Sequence, residues 1–326
     1  MIAPLVLVTS RSFSTGTDDL IGRLNQAGAR VVRGAIDHDL KSIRPELENA
    51  VAWIAGTSPV TAQHLAAAPK LRLIARYGVG VDAVDRDAAA RAGVTVTNTP
   101  GANSDAVAEH ALALLFAALR RIVSGDRSVR AQDWTVLRTK EMRNVQVGIV
   151  GFGRIGRALT TRLLPFGTRV LAYDPVVPAP DIIAAGAEPA ELLALPATCD
   201  VVSLHAPAGN LIVDAGWLGA ATPELILLNT ARAALVDEHA VATALSEHRI
   251  RCYAADDLGS GHGDASSPLL ATDLADRVIL TPHSAAQTVE AVDNMGSAAT
   301  AAVLAVLAGT TPPNVIAPPL SCPSTD

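Results

Sequence analysis

The chain has 326 residues, a formal net charge of −6, 49% apolar residues and only 3% aromatic residues. That length exceeds what one hydrophobic core usually holds, so two domains are expected, and the apolar share excludes a disordered chain. The charges are scattered, with no basic stripe for nucleic acid and no polybasic patch for a membrane surface.

Short apolar runs alternate with amphipathic segments. PLVLVT (4–9) predicts a strand, TDDLIGRLNQAG (17–28) a helix closing on Gly28, and ARVVRG a second strand. AVAWIA (50–55), LRLIAR (71–76) and VTVTN (94–98) continue the strand series, with Ala-rich helical segments between them. Near-continuous apolar strands separated by helices are the pattern of a buried parallel sheet. A long helix is predicted over 103–121, N-capped by Asn103 or Ser104 and basic at its end. Its length suits a connector between domains. Its apolar residues Ala106, Leu112, Leu115 and Leu119 fit either core or a subunit interface. The alternation restarts with strands at 145–150, 168–174, 200–205, 224–229, 251–256 and 277–282, a second parallel sheet. The last helical stretch, roughly 285–309, has no strand series of its own, so it is expected to pack back on the first domain.

No apolar stretch approaches the roughly 18 residues of a membrane span. The opening MIAPLVLVTSRS lacks a basic n-region and a long enough apolar run for a secretory leader. Cys199, Cys252 and Cys322 lie far apart, with neither metal-ligand spacing nor a disulfide framework. The expectation is a cytoplasmic protein with no metal and with no nucleic-acid or membrane partner.

The strongest motif is VGIVGFGRIGRAL, between a predicted strand and a predicted helix. Gly151, Gly153 and Gly156 make G-x-G-x-x-G, the dinucleotide fingerprint in its proper context. Gly151 permits the tight turn, Gly153 leaves room for the pyrophosphate, and Gly156 lets helix and strand approach. The backbone N–H groups at the helix start, from Arg154 and Ile155 onward, face the anion. Asp174 ends the next strand, about 20 residues on, where an acid hydrogen-bonds ribose hydroxyls and repels a 2′-phosphate. NAD is therefore the expected cofactor.

Three further segments sit where strands should end, on the rim where open α/β sheets bind ligands. They are ARYGVGVDAVD (75–85), LLNTARAALVD (227–237) and LTPHSAAQT (280–288). With the glycine motif and TNTPGANSDAVAEHALALL (97–115), they resemble the D-isomer-specific 2-hydroxyacid dehydrogenases, nearest to the phosphoglycerate-dehydrogenase-like members, over nearly the whole chain.

The resemblance implies an α/β protein of two domains. One is a doubly wound Rossmann domain for NAD over 99–286; the other is a flavodoxin-like, discontinuous substrate domain over 1–98 and 287–326. It implies hydride transfer between nicotinamide and a small 2-hydroxy or 2-keto acid, and a homodimer. Arg232 matches the arginine that grips substrate carboxylate and carbonyl as a fork. His283 matches the general acid/base, a role that imidazole chemistry suits. Val79 and Gly80 match the loop whose amides bind the substrate carboxylate, with Gly78 allowing close approach and Arg76 beside it for a distal anion. His205, Thr230, Ala231 and Asp256 match the nicotinamide edge of the cofactor site. The main departure from the pattern is at Gly261, where the family places a glutamate that orients the histidine; the turn after His205 is also shorter, Ala233-Ala234 replace glycines, and Ala55 or Gly56 stands where a phosphate-binding arginine is expected. The main departure keeps open an alternative, a family member with little turnover that senses a ligand or binds a partner.

Overall fold

The computed structural model describes residues 3–259 and 266–317. Gly261 and Cys322 lie outside the described residues. The chain divides into two compact units, Met1–Asn103 with Gln287–Asp326, and Ser104–Ala286.

In the first unit β1 (Leu5–Val8), β2 (Arg30–Arg33), β3 (Ala50–Ala55), β4 (Leu73–Arg76) and β5 (Thr95–Thr97) form a parallel sheet in the order β2-β1-β3-β4-β5. That is the flavodoxin-like order. The crossovers are α1 (Leu20–Gln26), α2 (Leu40–Leu47), α3 (Ala62–Ala66) and α4 (Arg86–Arg91). Three of them start where an aspartate accepts a backbone N–H of the first turn: Asp19 from Gly22, Asp39 from Ser42 and Asp85 from Ala88. The inner strands β1, β3 and β4 bury Leu7, Trp53, Ile54 and Ile74 completely. Each such side chain contributes about 1.5–3 kcal/mol of transfer free energy. The segment after β5 stays with this unit. Thr99 N–H donates to the Gly78 carbonyl and the Asn98 amide to the Val79 carbonyl.

The second unit begins with α5 (Ser104–Leu119) and α6 (Ile122–Arg130). The break between them is Arg121, in the left-handed region at φ 53°. Then follow β6 (Gln146–Val150), α7 (Arg154–Leu163), β7 (Arg169–Tyr173), α8 (Ala179–Ala184), β8 (Glu188–Pro189), α9 (Leu195–Thr198), β9 (Val201–Leu204), α10 (Ala215–Gly219), β10 (Ile226–Asn229), α11 (Glu238–Ser246), β11 (Cys252–Ala255) and β12 (Val278–Leu280). All seven strands run parallel, in the order β12-β11-β10-β9-β6-β7-β8. The order reverses at β6, between β9 and β7, which is a topological switch point.

Strand alternation divides the core of this unit between the two faces of the sheet. Val202, Leu227 and Tyr253 pack with Leu195, Trp217 and Leu245, whereas Val201, Ile226 and Leu228 pack with Leu115, Leu119 and Leu159. Along the apolar side of α5, Leu115 and Leu119 are buried in this cluster, Leu112 packs against it partly buried, and Ala106 is buried as well. Arg162 of α7 clamps the polar side of α5, pairing with Asp105 and Glu109 at 2.9 Å each. Cys199 and Cys252 are buried free thiols.

The chain then returns to the first unit as α12 (Val289–Leu307), N-capped by Thr288. Tyr77 donates its hydroxyl to the Val292 carbonyl at 2.9 Å, and the Asp293 carboxylate accepts from Thr17 and Asp18. Among the described residues, no helix is long and apolar enough to cross a membrane.

Candidate functional site

The glycine turn lies between β6 and α7, at the switch point of the second unit. Gly151 adopts φ 93°, and a Cβ there would stand 2.6 Å from the backbone of His205 and Ala206. A Cβ on Gly156 would stand 2.3 Å from the Gly151 carbonyl oxygen. Both glycines are therefore imposed by close backbone contact. Gly153 differs: nothing lies within 4 Å of the place its Cβ would take. Its φ and ψ of −75° and −155° suit any residue, so the fold does not require glycine there. Arg154, Ile155 and Gly156 open α7, and their N–H groups have no carbonyl one turn back. An open face, three unspent donors and the helix dipole fit a pyrophosphate.

Asp174 caps the end of β7. Its carboxylate accepts N–H bonds from Phe152 at 2.7 Å, Val176 at 2.8 Å and Val177 at 3.1 Å. Desolvation pushes its pKa up, but those backbone donors and the Arg157 charge outweigh it and hold the group below its ordinary value. A fixed anion thus sits at the strand end beside the glycine turn. His205 follows β9, with Nε2 2.9 Å from Ser203 Oγ. Burial lowers its pKa to about 4, so the ring is neutral at ordinary pH. His205 Nδ1 and Thr230 Oγ1 are both buried, and neither has a hydrogen-bond partner among the described residues. Buried polar atoms left in this way on a ligand rim fit a polar cofactor.

Arg232 is held by a residue that the sequence reading passed over. Asn229, fully buried at the end of β10, accepts from the Ala231 N–H at 3.0 Å and donates to the Arg232 carbonyl at 2.8 Å. The loop over 230–232 is thereby folded back on its own strand. The Arg232 guanidinium also donates to the Ala231 carbonyl.

Asp256, at the end of β11, organises the loop that carries His283. Its Oδ1 accepts from Thr281 Oγ1 at 2.5 Å and from the Ser284 N–H at 2.9 Å, and its Oδ2 accepts from the Ala285 N–H at 2.8 Å. His110 of α5 approaches from behind, its Nε2 2.9 Å from Thr281 Oγ1. With the threonine proton directed to the carboxylate, His110 is the donor in that contact. Between these anchors His283 sits at φ 53°, a left-handed conformation that costs a β-carbon-bearing residue about 1–3 kcal/mol. Both Asp256 oxygens serve the histidine loop. The His283 ring is half-buried, with Nδ1 3.5 Å from Asp257 Oδ1. The sequence reading overlooked Asp257.

In the first unit, the loop after β4 holds Gly78, Val79 and Gly80. Gly78 has φ 137°. The carbonyls of Gly78 and Val79 point to Thr99 and Asn98, respectively. In a trans peptide the N–H lies opposite the carbonyl of the same plane. The N–H groups of Val79 and Gly80 therefore point together to the other side, an anion-binding arrangement. Arg76 is buried beneath the loop and donates to the Tyr77 carbonyl, its guanidinium against Gly78.

The two parallel doubly wound sheets, the glycine turn and the acidic strand end define a dinucleotide-binding α/β protein. The family model for the D-isomer specific 2-hydroxyacid dehydrogenase, NAD binding domain, matches residues 112–285. The chain belongs to that family, and its second unit carries the NAD-binding domain. It is 38% identical over 323 residues to D-3-phosphoglycerate dehydrogenase of Mycobacterium tuberculosis, covering 97% of this chain and 59% of the relative. The chain thus spans about three fifths of that relative's length. It is 35% identical over 269 residues to glyoxylate reductase of Korarchaeum cryptofilum, covering 80% of each. Among solved structures it is similar to the NADPH-dependent glyoxylate/hydroxypyruvate reductase of Sinorhizobium meliloti in complex with NADP and malonate. That match has 25% identity and a TM-score of 0.82, covering 96% of this chain and 97% of the other.

Proposed function

We propose that this protein is an NAD-dependent oxidoreductase that transfers a hydride between nicotinamide and a small 2-hydroxy or 2-keto acid. The observation that carries the reading is the His283 loop. A half-buried imidazole is held in a strained backbone conformation by four hydrogen bonds to two strand ends. Strain of that kind persists where the surroundings over-determine it, and it concentrates at functional sites.

The roles follow from the chemistry of each group. The reduced cofactor, when bound, supplies the hydride. Gly151, Gly153 and Gly156 with the N–H groups of Arg154 and Ile155 hold its pyrophosphate. Asp174 meets the adenine ribose and disfavours a 2′-phosphate. His205, Thr230 and Ala231 line the nicotinamide side. Arg232 grips the carboxylate and polarises the carbonyl of the acid, which draws electron density to oxygen as the carbon accepts hydride. His283 delivers the proton to that oxygen in reduction and takes it back in oxidation. The N–H groups of Val79 and Gly80 are assigned to the substrate carboxylate. Residues 1–98 with 287–326 serve the acid, and 99–286 serve the cofactor. The burial of Arg76 and its bond to its own loop favour a short acid over one with a distal phosphate.

The direct test is NADH oxidation against glyoxylate, pyruvate, hydroxypyruvate, phenylpyruvate and phosphohydroxypyruvate, scanned over about pH 5 to 8 around the ordinary histidine range. Turnover abolished by His283→Ala and by Arg232→Ala supports the reading. NADH binding without turnover of any acid would overturn it in favour of a ligand sensor.

The same reading includes a cytoplasmic homodimer. Support comes from α6 and the segment after it. α6 buries no residue, and Ile122, Val129, Trp134, Val136 and Leu137 are exposed, Trp134 at 74% and Val136 at 88%. Clustered apolar exposure of this kind marks a protein-protein contact. Light scattering that gives twice the chain mass, and a monomer for Trp134→Asp with Val136→Asp, is the expected result.

A further inference from the structure

Asp256 and Asp257 are adjacent carboxylates with different tasks. Asp256 is buried and spends both oxygens on the backbone and hydroxyl of the 281–285 segment. Asp257 is directed to the ring carried by that segment, with Oδ1 3.5 Å from His283 Nδ1 and side-chain exposures of 23% and 32% for aspartate and histidine. The backbone on either side of Asp257 is pinned. Asp256 N–H donates to the Asn229 carbonyl. Gly259 N–H donates to Glu238 Oε1 at 2.7 Å. The other oxygen of Glu238 accepts from Ser267 at 2.6 Å, and Leu258 packs into the core. Asp257 is therefore presented by a rigid frame.

We propose that Asp257 is the positioning residue for His283. Its carboxylate holds the proton on Nδ1 and sets the ring plane, so that Nε2 is the nitrogen that exchanges a proton with the substrate. The proposal rests on His283 being the acid/base assigned above. The 3.5 Å separation is longer than a good hydrogen bond. At that distance the carboxylate charge still favours the tautomer that turns Nδ1–H toward it. A carboxylate behind the working histidine fixes tautomer and orientation without itself changing protonation. The family's glutamate position is Gly261, so the charge here comes from a residue two positions after the end of β11.

The test combines kinetics with a readout that needs no turnover. With NADH and glyoxylate, Asp257→Asn is expected to lower kcat about 10- to 100-fold, with KM and the NADH dissociation constant unchanged. Asp257→Glu should recover part of the loss. In a His283→Ala background Asp257→Asn should add nothing, the non-additivity of two groups acting as one. Nitrogen-15 shifts of the His283 ring in the NADH complex should show the Nδ1–H tautomer in the parent and its loss in Asp257→Asn. Unchanged kcat in Asp257→Asn, or an equal loss in both backgrounds, overturns the proposal, as does an unchanged tautomer. If His283→Ala retains full turnover, the acid/base assignment itself fails. The ring shifts then still report whether Asp257 sets the tautomer.

Discussion

Three of the described histidines take a left-handed backbone, and two of them, His38 and His283, differ in everything else. His38, in the first unit, has φ 60°, and His283, in the second, has φ 53°. The His38 ring is enclosed, with 2% of the residue exposed. Trp53 Nε1 donates to Thr9 Oγ1 at 2.8 Å, so the Thr9 hydroxyl proton is left for His38 Nε2 at 2.7 Å. His38 Nδ1–H then donates to the Pro59 carbonyl, and His64 Nε2 donates to the His38 carbonyl. Burial lowers the His38 pKa to about 4, with His64 and Arg76 nearby adding to the effect against the opposing Pro59 hydrogen bond. Both ring nitrogens are consumed by structure. His283 reverses this, because its main-chain setting is over-determined while its ring is half-exposed beside a carboxylate. Left-handed backbone alone does not mark a working histidine. The fate of the ring nitrogens does.

The largest expected effect separates the two residues directly. His283→Ala should cut turnover about 10²- to 10⁴-fold, the usual contribution of a general acid/base. Its melting temperature should stay close to the parent's, because a half-exposed ring adds little to stability. A variant equally impaired in stability would erase the contrast. The converse substitution, His38→Ala, should cost about 2–4 kcal/mol through a cavity and orphaned partners, read from urea unfolding, with turnover per folded molecule preserved.

The glycine turn offers the same contrast in one motif. Gly156→Ala drives a Cβ to 2.3 Å from a carbonyl and should destabilise by about 3 kcal/mol. Gly153→Ala meets open space, so stability should change by less than about 1 kcal/mol. NADH affinity should fall about tenfold, or ~1.4 kcal/mol, because the methyl stands where the pyrophosphate approaches. Fluorescence titration of NADH against both variants sharpens the distinction between a packing glycine and a ligand glycine.

The smallest effect per step is in pH. The folded-state pKa of His38 is about 4, below the 6.5 of the unfolded chain. Between those values the unfolded state takes up a proton and the folded state does not. Stability should therefore fall as pH drops from 6.5 toward 4, by at most ~1.4 kcal/mol per pH unit from this residue. Urea midpoints of the parent and His38→Gln, compared across that window, should converge at low pH. Parallel lines would remove His38 from the acid response.

Much of this molecule is legible along the chain. β3 occupies 50–55 as the apolar run predicts, and α1 ends just before Gly28, which takes φ 84°. The turn at Gly151–Gly156 is equally readable, because its chemistry is made of consecutive residues: a strand, two backbone approaches and a helix start. Less was visible where the contacts cross strands. α6 lay hidden in a polar stretch because it buries nothing. Asn229 appears in sequence as one polar residue at a strand end, and its hold on Arg232 depends on the loop folding back.

By itself, the sequence determined two parallel sheets, the glycine turn, the acidic end of β7 and the candidates Arg232 and His283, because local periodicity and backbone sterics act over neighbouring residues. Only the tertiary structure decided that Asp256 serves the histidine loop, that His110 backs it, and that Asp257 faces the ring. The physical reason is that β11 and β12 are neighbours in the sheet though a loop separates them in the chain. A carboxylate at one strand end reaches the donors of the next only after both have paired, and sequence spacing carries no record of that distance.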